Sequence, residues 1–290
     1  MMPIDIVLQI ALSGLLAGAV YALIAIGFTL VFGVLDIVNF GHAVVPMLAM
    51  YGVFFLFSTY GMDPFVALIP VVLASIVFGV LLHKLLISRI VGTHHFTQII
   101  CTLGVFIFCE NLMNLLYGGD FRGLTLSYTT STWTVAGISI PVARAVAAFI
   151  SLLAVVGLTI FLSRSALGKA IRAASNNRIG AHLVGVDVPR VYLWAFVIGT
   201  ALAAVAGVVM TPFALVSPFV AGDFLMKSFV IAIVGGLGSV PGALIAGLLI
   251  GVAEALSGLY LTDSFGNVVV FGILILTLIV RPSGLIPVQK

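Results

Sequence analysis

Asp36, Asn39 and His42 stand three and six residues apart in the stretch GVLDIVNFGHAVVPM, and Glu110 and Glu254 each lie inside a long apolar run. Residues three apart share a face of any helical portion. The first cluster, with Gly41 inside it, therefore reads either as the polar lining of a path or as the cap of a half-helix with Asn39 as N-cap. An ionised side chain in hydrocarbon costs at least ~2.5 kcal/mol, so both glutamates must face protein or water. Glu110, beside Asn111 and Asn114, is expected to reach the interface from near its helix end. Glu254, nearer mid-run, is the candidate for an internal polar contact.

Other chemistry is excluded by spacing. His94 and His95 are adjacent, diverge on a helix and have no Cys or carboxylate at metal spacing. SALGKA, Ser165 to Ala170, has Ser163 where a phosphate loop needs its first glycine and Ala170 where it needs a hydroxyl for magnesium. The chain itself is expected to bind neither ATP nor a metal, and no credible nucleophile–base set is present. Cys101 and Cys109 lie about two turns apart on one helical block and cannot bridge each other.

The elements that hold these residues are set by composition. Of 290 residues 62% are apolar and only 7% charged, and the mean hydropathy is +1.35, far from the ~25% charge of a soluble domain. Several apolar blocks reach the ~20 residues of a spanning helix. None shows the alternation of membrane strands. The reading is an all-α integral membrane protein, one domain over 1–290, a polytopic bundle of about eight transmembrane helices with broken or re-entrant segments. The first block is too long for a signal-peptide core, so no cleaved leader is expected. A net charge of +3 is too weak to suggest nucleic acid.

The position of the basic residues carries more than their sum. Arg164, Lys169, Arg172, Arg178 and Arg190 crowd the stretch 163–190 against the single acid Asp187, which places it in the cytoplasm by the positive-inside tendency. Counting back puts Lys84 and Arg89 inside too, and the Ser/Thr-rich stretch 117–140 outside. Counting forward meets Lys227 and then GGLGSVPG, Gly235 to Gly242, dense in helix breakers. If that segment crosses as a short broken span, Arg281 and Lys290 fall inside, and the charges favour this.

The chain thus has two broken places, one near each end. Paired interruptions point to a transport pathway, and Gly235, Gly236, Gly238, Ser239 and Pro241 join the first cluster as candidate path residues. Two ordinary connecting loops remain the alternative. Gly14 and Gly18, and Gly247 and Gly251, have the small-xxx-small spacing of close helix packing.

In the basic stretch, Gly168 to Ala174 is expected to continue a helix out of the membrane, with Asn176 or Asn177 capping a new one over Arg178 to Val184. Gly185 suits its stop, and Asp187 with Pro189 suits the start of the next span. The short helix would show Ile179, Leu183 and Val184 as an apolar side. Such a surface seeks a partner groove or lies on anionic lipid.

Four stretches, GVLDIVNFGHAVVPMLAMYG, TQIICTLGVFIFCENL, the loop from Gly168, and GGLGSVPGALIAGLLIGVAEAL followed by RPSGLIP, resemble the branched-chain amino acid permease family of ABC importers, the LivH/LivM type, and are closer to the LivH branch. The resemblance runs through nearly the whole chain. It implies a permease subunit that is no enzyme, in the bacterial inner membrane. A second, LivM-like permease chain, two cytoplasmic ATP-binding subunits and a periplasmic binding protein would be its partners. It also assigns the loop the role of docking an ATPase, with Ala173, Ala174, Asn176, Leu183 and Gly185 carried over. Asn176 departs from the Gln or Glu associated with that site. Branched-chain or other neutral amino acids are the implied cargo. Urea, short amides or aromatic acids on the same architecture remain alternatives, as do an ion-coupled transporter working through Asp36, Glu110 or Glu254 and a scaffold with no path.

Overall fold

The structure, a computed structural model, describes residues 4–126, 128–129, 131–135, 137–260 and 265–287. Its first helix, α1 (Ile4–Leu35), runs 32 residues, ~48 Å at 1.5 Å per residue. A turn of 3-10 helix at Phe40–Ala43 precedes α2 (Val44–Tyr60), and α3 (Pro64–Leu82) continues through a π-helical segment, His83–Ile87, into α4 (Ser88–Ile90). Then come α5 (His95–Tyr117), a hairpin of β1 (Thr132–Val135) and β2 (Ile138–Pro141), and α6 (Val142–Arg164). The basic stretch forms α7 (Ala166–Asn176) and α8 (Arg178–Leu183), followed by α9 (Val188–Met210), α10 (Val220–Gly235), α11 (Val240–Tyr260) and α12 (Gly266–Val280).

Seven segments among the described residues are long and apolar enough to cross a membrane, and α12 is a shorter apolar helix. A further helix, α10, is 16 residues long and carries Asp223 and Lys227. It forms an antiparallel pair with α11, closed where Gly235 meets Gly242. The ambiguous run 224–240 is therefore a separate short leg, and among the described residues nine helical legs traverse the bundle, close to the about eight expected. Arg281, at the end of α12, consequently shares an end with the basic stretch, as the charges favoured; Lys290 lies outside the described residues.

The ends are electrically distinct. Lys84, Arg89, Arg164, Lys169, Arg172, Arg178, Arg190 and Arg281 fall at one end with Asp36 and Asp187, called here the basic end, and Asp5, Asp63, Asp120 and Asp223 at the other with Arg122 and Arg144. The β-hairpin is an addition to the all-α expectation. Its four residue pairs lie at the acidic end, where β-branched Thr and Val suit a strand outside hydrocarbon. Asp63 caps α3 by accepting from Phe65 N–H at 2.8 Å, and its other oxygen accepts from the Tyr128 hydroxyl at 2.8 Å. Burial and then this carboxylate raise the Tyr128 phenol above its ordinary pKa.

At the centre stands α1, mostly buried, with α9; α3 and α5 are little buried and turn apolar side chains such as Ile69, Leu73, Ile100 and Phe108 outward. Lipid tails are as apolar as these side chains, so the bundle is held by close packing instead of by a hydrophobic drive between helices. The glycines supply that packing. A Cβ on Gly18 would sit 2.6 Å from the Gly247 carbonyl oxygen, and one on Gly247 2.6 Å from the Ala22 Cβ. Gly27 and Gly199 make the same approach between α1 and α9, each with its missing Cβ under 3 Å from the other's carbonyl oxygen.

Gly18→Val is expected to lower stability by about 1–3 kcal/mol through overpacking. Gly104→Val, where a side chain would meet nothing within 4 Å, is expected to change it by less than about 0.5 kcal/mol. Thermal unfolding of both variants in detergent checks the contrast, and equal midpoints would dismiss the seam.

Candidate functional site

The first break begins where α1 ends. Asp36 adopts φ +56°, the left-handed conformation of a helix stop, and its N–H donates to the Phe32 carbonyl at 2.9 Å. Asn and Asp tolerate this region better than other side chains because they bond locally. The chain then runs without helix to Phe40, so Asp36, Asn39 and His42 do not share the helical face that their spacing suggested. Asp36 is exposed, whereas Asn39 and His42 are buried at 1% and 2%.

Asn39 sits at the N-cap position of the 3-10 turn, yet its side chain makes no capping bond. Both its amide atoms are buried without a partner. The capping alternative is thus replaced by two unfilled polar atoms inside the bundle, which cost free energy unless something meets them. The His42 Nε2 lies 3.2 Å from the Ile24 carbonyl oxygen. A carbonyl only accepts, so this pairing assigns the proton to Nε2. Gly27 makes room, since a Cβ there would lie 3.0 Å from the imidazole. Gly41 is fitted against α5, where its Cβ would come within 3.4 Å of Val105 and the Thr102 carbonyl. Thr102 holds the break from α5: its hydroxyl accepts from Phe40 N–H at 3.3 Å and lies 3.3 Å from the Val38 carbonyl oxygen.

The second break is the α10–α11 turn. Gly236 and Gly238 have φ +104° and +89°, conformations that side chains rarely adopt. Ser239 caps α11, accepting from Gly242 N–H at 3.2 Å, with Pro241 in the first turn where no N–H is missed. RPSGLIP closes over the turn: Leu285 N–H donates to the Val234 carbonyl at 2.8 Å and Ile286 N–H to that of Gly235 at 3.1 Å. A carboxyl-terminal backbone thereby satisfies the carbonyls left at the end of α10.

The two breaks meet at the basic end. Gly238 packs on Gly33 at the foot of α1, and the Ser175 hydroxyl of α7 donates to the Gly33 carbonyl at 2.7 Å. A cavity of about 210 Å³ there is lined by Asp36, Ala174, Ser175, Arg178, Leu237 and Gly238. A neighbouring one of about 530 Å³ is lined in part by Asn176, Gly238, Ser239 and Pro241. Asn39, Gly41 and His42 stay in the interior, Gly235 and Gly236 are packed in the turn, and Glu254 lies toward the acidic end. The candidate path residues therefore fall into four groups, at the basic-end cavities, in the turn, in the interior and toward the acidic end.

The basic stretch is two helices, not an extension of α6. Ser165 breaks the run at ψ 153° and caps α7, accepting from Gly168 N–H at 2.8 Å. Gly168 cannot carry a side chain there because a Cβ would strike the backbone of Phe161 and Leu162. Asn177 caps α8 by accepting from Gly180 N–H at 2.8 Å, Gly185 stops it at φ +84°, and Asp187 caps α9 by accepting from Arg190 N–H at 3.2 Å. Ile179, Leu183 and Val184 are 74%, 79% and 79% exposed, the apolar side expected. Ala173, Asn176, Leu183 and Gly185 are also exposed, but Ala174 is buried. It lines the small cavity beside the foot of α1.

Glu254 does make an internal contact, and its partner is one that spacing alone did not reveal. Lys227 of α10 donates to Glu254 Oε1 at 2.6 Å and to the Tyr21 hydroxyl at 3.1 Å, with its ammonium 4.3 Å from the Tyr21 ring centre. A buried charge survives only when paired, so this triad ties α1, α10 and α11 toward the acidic end. Glu110, by contrast, is half-buried on α5 and makes no ion pair among the described residues. The signals that could have found the missed residues were a lysine and a glutamate in separate apolar runs, each needing a counter-charge, and a threonine inside another.

Lys227→Met and Glu254→Leu, each leaving the other charge or its partner site unpaired, are expected to cost about 3 kcal/mol or more, and the double replacement of both to recover most of it. Unfolding midpoints of the three variants measure this, and additive losses would speak against a coupled pair.

Comparison with known proteins agrees with this architecture. A family described as "Branched-chain amino acid transport system / permease component" matches residues 10–278. The LivH permease of the high-affinity branched-chain amino acid transport system of Escherichia coli K12 is 36% identical over 96% of this chain and 95% of its own. BraD of Pseudomonas aeruginosa PAO1 is 35% identical over 96% and 95%. The LivM permease of E. coli K12 is 33% identical over 44% of this chain and 30% of its own, so the likeness is broader on the LivH side. With its matching stretches spread from the seam of α1 to α12, this multi-pass chain belongs to the branched-chain amino acid permease family of ABC transporters.

Proposed function

We propose that the chain is the membrane-spanning subunit of an ABC importer in the bacterial inner membrane, moving branched-chain or other neutral amino acids inward. Its basic end faces the cytoplasm in this reading. Separate ATP-binding subunits supply the energy, a periplasmic binding protein delivers cargo to the acidic end, and a second permease chain of LivM type completes the pore. The relatives are transport permeases, and this chain performs no hydrolysis of its own in the scheme.

The observation that carries the reading is the exposed apolar side of α8, held by caps at both ends and tied through Ser175 to the foot of α1. An aliphatic patch on a short capped helix favours a protein groove over water. When ATP draws the partner subunits together, a pull on α8 reaches Gly33 through Ser175 of α7, and Gly238 through Gly33. The α1 foot and the α10–α11 turn would then move as one body against α5, which holds the first break through Thr102. Cargo needs only a different affinity for the two resulting states.

Leu183→Asp on the outward side is expected to reduce leucine uptake at least about tenfold in cells carrying the complete importer, with unchanged membrane levels and loss of the co-purifying ATPase. Undiminished uptake would remove α8 as the coupling element. Uptake that survives loss of the ATPase and fails with an uncoupler would favour an ion-coupled transporter.

A further inference from the structure

Toward the acidic end, α1, α6, α9, α11 and the start of α12 line an open cavity of about 390 Å³ whose lining includes Tyr21, Arg144, Met210, Phe213 and Glu254. Its polar groups have capacity to spare. Arg144 lies over the Phe213 ring at 5.7 Å, and no carboxylate pairs with it among the described residues. Its guanidinium presents donors in a fixed fork suited to a carboxylate. Tyr21 accepts from Lys227, so its own hydroxyl proton is uncommitted. Glu254 spends Oε1 on Lys227, and its Oε2 is buried without a partner. Burying an acceptor in this state is costly unless a donor arrives.

We propose that this cavity binds the charged head of an α-amino acid, with Arg144 and the Tyr21 hydroxyl taking the carboxylate and Glu254 the ammonium. The proposal rests on the importer reading and names where that cargo is first held. Among the described residues Lys227 and Glu254 pair with each other, which leaves the Arg144 guanidinium free to take a ligand carboxylate. The surplus acceptor of Glu254 distinguishes a zwitterion from a simple acid. Met210 and Phe213 leave an apolar wall for an aliphatic side chain, and the volume is many times the ~30 Å³ share of one water. A site at the acidic end, away from α8, is open to cargo before any pull on the basic end.

The test uses the full chain in lipid nanodiscs and three probes of one shape: L-leucine, 4-methylpentanoate, which lacks the ammonium, and 3-methylbutylamine, which lacks the carboxylate. Binding is read by equilibrium dialysis of labelled probe. Leucine is expected to bind the wild type more tightly than either analogue. Arg144→Gln should weaken leucine and 4-methylpentanoate at least about tenfold while sparing the amine. Tyr21→Phe should weaken the two acids by a smaller factor. Glu254→Gln should reverse the pattern, and if it does not fold the other two variants decide. A structural defect would weaken all three probes together.

Leucine binding that ignores Arg144→Gln and Tyr21→Phe overturns the site and leaves the cargo reading intact. So does a wild-type chain that binds no leucine although cells carrying the complete importer take it up. A complete importer that takes up no leucine overturns the cargo reading, and absent leucine binding then overturns this site with it.

Discussion

Everything in this bundle depends on how closely α1 can be approached. It is the longest helix and among the most buried, and α9, α10, α11, α6 and the foot of α7 all pack on it. In hydrocarbon there is no gain from merely gathering apolar side chains, so association requires backbones near enough for dense contact. Gly14 and Gly18 admit α11, and Gly27 admits both α9 and the buried His42. The glycines of the central post are thus the condition for the other contacts, including the placement of Tyr21 under Lys227.

A second constraint shapes the two breaks. Backbone groups freed from a helix at depth need partners from within the protein. At the first break they are found on α5, through Thr102, and at the second on the carboxyl-terminal segment, through Leu285 and Ile286. Each break is therefore bound to a distant part of the chain, and both are joined to α7 where Ser175 and Gly238 meet Gly33. The exposed helix pair at the basic end is in this way connected to the bundle by a few short, directional contacts.

Much of the local architecture was legible in order of residues alone. Length and apolarity settle the class of protein, because a helix must close its own hydrogen bonds across a membrane. The caps of α8 and α9 and the stop at Gly185 follow from side chains that bond their own neighbours, so Asn177, Asp187 and Gly185 occupy the places that their types suggest. Other local readings failed for equally local reasons. Ser165 ended α6 because its hydroxyl caps the following turn, and Asp36 took a left-handed conformation that removed it from any face shared with His42.

What the amino-acid order determined by itself is whatever is decided within a few residues: spans, caps, turns and the charge difference between the ends. Pairings between segments far apart were decided only in three dimensions. Lys227 and Glu254 are each anomalous in an apolar run, yet nothing in either run names the other, nor Tyr21 more than two hundred residues away. Ala174 looked like part of an outward surface and proved to be packed inward, since which side of α7 faces α1 depends on the rotation that Ser175 and Gly33 impose. The physical reason is the range of the forces: hydrogen bonding to one's own neighbours is written in adjacent residues, while packing and ion pairing depend on which helices the chain has already brought together.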